Sequence, residues 1–102
     1  MQQRALRVSH LFDELNKKNK QKVWSEQDVM AGFVGDVGDL SKLIMAKNNL
    51  RSKDSVDEAL AHELSDCLWS VIILADKLDI NLAGSFMQTM DQLERNLAKK
   101  LK

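Results

Sequence analysis

Apolar residues return every three or four positions along four stretches of this chain, the spacing that lines one face of an α-helix. Ala5, Val8, Leu11, Phe12 and Leu15 mark the first stretch and predict a helix from about residue 3 to about residue 18. The polar run Asn16 to Lys22 breaks the pattern and reads as a solvated loop. Ser25 is a natural N-cap, and Glu26 and Asp28 place acids in the first turn, where the helix dipole favours them. Val29, Phe33, Val37, Leu40 and Ile44 then carry a second helix to about Lys47. After a polar stretch from Asn48 to Asp54, Ser55 caps a third helix that runs through Leu60, Leu64, Leu68, Val71 and Ala75 to about Leu78. A break at Asp79 to Asn81 precedes a fourth, from about Leu82 to Leu101, with basic last turns. With no proline and four glycines, nothing else interrupts helix, and the expected fold is all-α: a four-helix antiparallel bundle.

Length sharpens that expectation. A chain of 102 residues forms a single domain, 1–102, yet is short of the size at which one core is comfortably stable alone, so a homodimer or homotetramer is expected. Apolar residues at 44% and charged residues at 29% are ordinary for a soluble globular protein. Fifteen basic residues balance fifteen acidic ones, which gives no reason to expect a nucleic-acid partner. Cys67 is the single cysteine and lies in an apolar run, so neither a disulfide nor a thiolate metal site is expected. The N-terminal residues lack a signal-like apolar stretch, and Val71 to Ala75 is too short to span a bilayer, so no membrane partner and a cytoplasmic location are expected.

The acids of helices two and three change the picture more. With Phe33 at zero and about 100° per residue, Val29, Val37, Leu40 and Ile44 fall within about 40° and define an apolar stripe. Asp36 then lies near −60° and Asp39 near −120°, on the shoulder of that stripe. With Leu60 at zero on helix three, the stripe holds Leu64, Cys67, Val71, Leu74 and Leu78, while Glu63 and Asp66 lie at about −60° and −120°. Each helix thus carries two carboxylates at i and i+3 on the same shoulder. Side by side, the shoulders would gather up to four negative charges, which cannot all stay ionised without a positive partner. An all-oxygen set suits a hard divalent cation, above all Mg²⁺, with Mn²⁺ as a substitute.

These residues resemble the MazG-like nucleoside triphosphate pyrophosphohydrolases, which carry an EExxE motif on one helix and an ExxD motif on the next. Gly35-Asp36-Val37-Gly38-Asp39-Leu40 looks like the first motif and Glu63-Leu64-Ser65-Asp66 like the second, with 23 residues between Asp39 and Glu63. Trp24 upstream and the segment ADKLDINL after helix three are similar to the family's flanks, so the resemblance covers residues 20 to 85. It implies Mg²⁺-dependent hydrolysis of a (deoxy)nucleoside triphosphate to the monophosphate and pyrophosphate. Asp36, Asp39, Glu63 and Asp66 would hold the metal, and Glu63 and Asp66 would be catalytic, with Glu63 the candidate to accept a proton from the attacking water.

Lys47 matches a Lys of the family and is a candidate phosphate contact, as are Arg51 and Lys53 in the following loop, and Trp24 is either a residue that stacks on the base or a hydrophobic plug at the entrance of helix two. Trp69 falls opposite the helix-three stripe, with Ile73 beside it, which suggests a second buried face at a subunit interface. The departures from the pattern are Gly35 in place of the first glutamate, the shorter Asp36 and Asp39, and Thr89 and Leu93 where a Lys and an Asn are expected on helix four. They leave open an alternative: a catalytically degenerate helical interaction module.

Overall fold

The computed structural model describes residues 1–48 and 54–102. It is all-helical there: α1 spans Gln2–Lys18, α2 Glu26–Asn48, α3 Asp54–Lys77 and α4 Leu82–Lys100. Local chemistry explains the boundaries. At the start of α2, Ser25 Oγ accepts from the Asp28 amide at 3.3 Å while Asp28 Oδ2 accepts from the Ser25 amide at 2.9 Å, a reciprocal cap. The Asn81 side chain caps α4 by accepting from the Gly84 amide at 3.1 Å. A side chain at Gly84 would come within 2.7 Å of the Asn81 amide nitrogen, so glycine keeps this cap open. Lys20 and Asp79 take the left-handed conformation, with φ of 55° and 58°, where the chain turns out of α1 and α3.

The principal packing is α2 against α3, with α1 also packed against α3. Ala5, Val29, Ile72 and Ile73 form the buried cluster where the three meet, and Trp24, Trp69, Leu74 and Leu82 pack around it. Ile73 is 1% exposed. Trp69 lies here because its indole N–H donates to the Ala5 carbonyl at 3.2 Å and Phe12 meets its ring edge-on. The second buried face of α3, expected at a subunit interface, is therefore covered within the chain by α1.

The arc by which α2 and α3 face each other also differs from the expected one. Val29 is buried and Phe33, Asp36, Leu40 and Leu43 are half-buried, whereas Val37 and Ile44 are exposed. On α3 the inward residues are Glu63, Asp66, Ser70 and Ile73, while Leu64, Leu68 and Leu78 are exposed. Both helices are apolar over more than half their circumference, so composition could not select the arc. The consequence is that Asp36, Glu63 and Asp66 are half-buried toward the seam, while Asp39 stays exposed on its shoulder.

α4 buries none of its residues. The molecule measures 59 × 39 × 21 Å with a radius of gyration of 17.4 Å, against about 13 Å for a compact domain of this length. No helix among the described residues is long and apolar enough to cross a membrane.

Candidate metal centre and adjoining cavity

Two turns of α2 and two of α3 meet halfway along the seam. Asp36 and Asp39 come from one helix, Glu63 from the other, and one carboxylate oxygen of each lies within 4.8 Å of the other two. Glu63 Oε2 is buried without a hydrogen-bond partner. Burial, reinforced by Asp36, Asp39 and Asp66, raises the Glu63 carboxyl above its ordinary value, and His62 opposes the shift weakly. An orphaned oxygen among like charges fits a cation. Cys67 beside it contributes no soft ligand: burial first, then Asp36, Glu63 and Asp66, push the thiol up and keep it protonated. The donors are therefore all oxygen, the set that hard divalent cations take.

Asp66, the fourth acid expected at the centre, does not complete it. Its Oδ2 lies 3.1 Å from His62 Nε2, a neighbour one helical turn back. The contact leaves the carboxylate half-exposed beside the trio. Asp66 still contributes negative potential to Glu63.

A cavity of about 540 Å³ opens beside the acids, with Asp36 and Asp66 in its wall. That volume falls within the range of small-molecule sites. Its opposite wall is aromatic: Phe12, Trp24 and Trp69 line it, with the Phe12 and Trp24 ring centroids 4.8 Å apart. Trp24, one of the expected substrate-binding residues, lines this cavity and also packs against the core. Phe12 and Trp69 were not anticipated in this role. Their signal was present as aromatics at positions facing the core stripe of α1 and the far side of α3. Asp28 also borders the cavity; hydrogen bonds from the Ser25 backbone and side chain, then Lys22, hold its carboxyl below the ordinary value.

The basic residues fare differently. Lys47 pairs with Asp57 across the α2–α3 seam. It lies eleven residues along α2 from Asp36, about 16 Å by helical rise. It stands with Asp57 as a bridge at the far end of the hairpin, away from the acid trio. Arg51 and Lys53 lie outside the described residues. No family model, curated protein or solved structure matches the chain.

Proposed function

We propose that this chain is a MazG-like, Mg²⁺-dependent pyrophosphohydrolase that cleaves a (deoxy)nucleoside triphosphate to monophosphate and pyrophosphate, cleansing the nucleotide pool as a homo-oligomer in the cytoplasm. The observation that carries the reading is the juxtaposition of the Asp36, Asp39 and Glu63 carboxylates with an aromatic-walled cavity of about 540 Å³. A nucleotide is a ligand with those two halves: a flat base for Phe12 and Trp24, and a polyphosphate that needs cationic company.

When bound, a divalent cation supplies the positive charge that offsets the phosphate oxygens. Asp36 and Asp39 would hold it from one helix and Glu63 from the other. Asp66, beside the trio and paired with His62, would be a further oxygen donor. Glu63, the acid that α3 adds to the trio, would be the group to take a proton from water. The apolar walls built by Val8, Val29 and Trp69 limit water around the reacting phosphate.

Incubation with each common ribo- and deoxyribonucleoside triphosphate and Mg²⁺ should yield pyrophosphate and monophosphate in equal amounts from at least one of them. A second reading, a non-catalytic interaction module, is favoured by the engagement of Asp66 with His62, which leaves three acids together. Absence of turnover from every triphosphate, with no divalent-dependent rise in melting temperature, would select it.

A further inference from the structure

The cavity beside the acid trio has two chemically different ends. Asp28, Gly32 and Asp36 all line it, and their four-residue spacing sets them in one row along α2. Asp36 belongs to the acid trio. Asp28, eight residues earlier, lies about 12 Å away by helical rise. Gly32 stands between them, and a side chain there would meet no neighbour within 4 Å, so the floor between the two acids is clear. Trp24 precedes Asp28 by four residues, and its ring centroid lies 4.8 Å from that of Phe12. A nucleotide whose phosphates accompany a cation at the trio therefore lays its base at the end held by Trp24 and Asp28.

The Asp28 carboxylate has one oxygen to spare there. Oδ2 accepts from the Ser25 amide at 2.9 Å and lies 3.4 Å from Lys22 Nζ. Among the described residues no hydrogen bond or ion pair engages Oδ1. Lys22 is not among the residues that line the cavity. The reciprocal cap of α2 uses the Asp28 amide and Oδ2, so capping leaves Oδ1 available. The hydrogen bonds of Ser25, then Lys22, hold the carboxyl below its ordinary value and hence ionised at neutral pH, which makes Oδ1 an acceptor that cannot donate. Cytosine and adenine carry an exocyclic amino donor where uracil and hypoxanthine carry a carbonyl oxygen, and a carboxylate pairs with the amino group. A carbonyl in that place would set two acceptors against each other and leave both unpaired. We infer that Asp28 is a specificity-determining residue that selects nucleotides whose base carries an exocyclic amino group, cytosine or adenine, over their carbonyl counterparts. This selection rests on the nucleotide binding of the proposed function and not on the cleavage.

The test is binding of the α,β-methylene triphosphates of cytidine, uridine, adenosine and inosine, which the proposed reaction cannot cleave, to the full chain with Mg²⁺. Tryptophan fluorescence reads it, because Trp24 and Trp69 are the two tryptophans of the chain and both line the cavity. Wild type should bind the cytidine compound over the uridine one, and the adenosine over the inosine one, about tenfold or more tightly. Asp28→Asn keeps an oxygen for the Ser25 amide and replaces the spare acceptor by an NH₂ donor, so it should reverse both preferences. Equal affinities within both pairs in wild type overturn the inference, as do unchanged ratios in a folded Asp28→Asn protein. If that variant fails to fold, Asp28→Glu retains a capping acid and moves the acceptor by one methylene; it should shrink both ratios about threefold or more, and unchanged ratios overturn the inference. Pyrophosphate release from the ordinary triphosphates, measured beside the titrations, separates this selection from the reaction. Preference without release sinks the hydrolytic reading alone, and release without preference sinks the base selection alone. No binding of any of the four compounds sinks both.

Discussion

Replacing Glu63 by Gln removes one charge from the acid trio while keeping its shape, and it has opposite consequences with and without a divalent cation. Burial and the three neighbouring aspartates raise the native Glu63 carboxyl above the ordinary 4.5. The native state therefore holds this proton more tightly than the unfolded chain does. The stability it contributes is fully present below pH 4.5 and is lost as pH rises through the native value. At neutral pH the ionised carboxylate works against the cation-free fold, so Glu63→Gln should melt higher than wild type in a chelator and lose stability less steeply between pH 4.5 and 7. Mg²⁺ reverses the order. At ten times the dissociation constant, binding to the native state adds about 1.4 kcal/mol, which for a domain of this size is a rise of about 6–11 °C. A tenfold weaker site in the variant would add about 0.4 kcal/mol, about 2–3 °C. Thermal melting by circular dichroism at fixed protein concentration, with chelator and with Mg²⁺, reads both effects. An equal Mg²⁺ shift in the two proteins, or none in wild type, would refute the assignment of Glu63 to a cation site.

Two further changes probe the surroundings. His62→Ala releases Asp66 from its 3.1 Å partner and should tighten divalent binding severalfold by titration calorimetry; unchanged or weaker binding would mean that Asp66 has no part in the centre. Ile73→Ala opens a hole where α1, α2 and α3 meet and should cost about 2–5 kcal/mol in urea denaturation, and a loss well under 1 kcal/mol would show that the site collapses or was never closed.

Helix number and boundaries were legible in the sequence because they rest on local chemistry: three- and four-residue apolar spacing, Ser25 with Asp28 as a cap, and the break at Asp79. The arc of contact was not. On α2, Val37 and Ile44 are as apolar as Phe33 and Leu40, so spacing alone does not decide which of them turns inward. The pairing of acids across two helices was legible from Asp36, Asp39 and Glu63 at matched angles, since a seam wide enough for one shoulder brings the other with it. The diversion of Asp66 was not, because His62 at i−4 competes with the centre for the same carboxylate and spacing alone does not rank the two. The cavity escaped the sequence for a different reason: Phe12, Trp24 and Trp69 come from α1, the following loop and α3, and only tertiary packing makes them neighbours.

In the proposed reaction, the acid trio and its cavity direct water to the α-phosphorus of a nucleoside triphosphate. Turnover with Mg²⁺ in ¹⁸O-labelled water, with products resolved by mass spectrometry, tests it most directly. The account predicts label in the nucleoside monophosphate, unlabelled pyrophosphate, and loss of both products in Glu63→Gln. Label in inorganic phosphate with a nucleoside diphosphate as co-product, or no labelled product from any triphosphate, would contradict it.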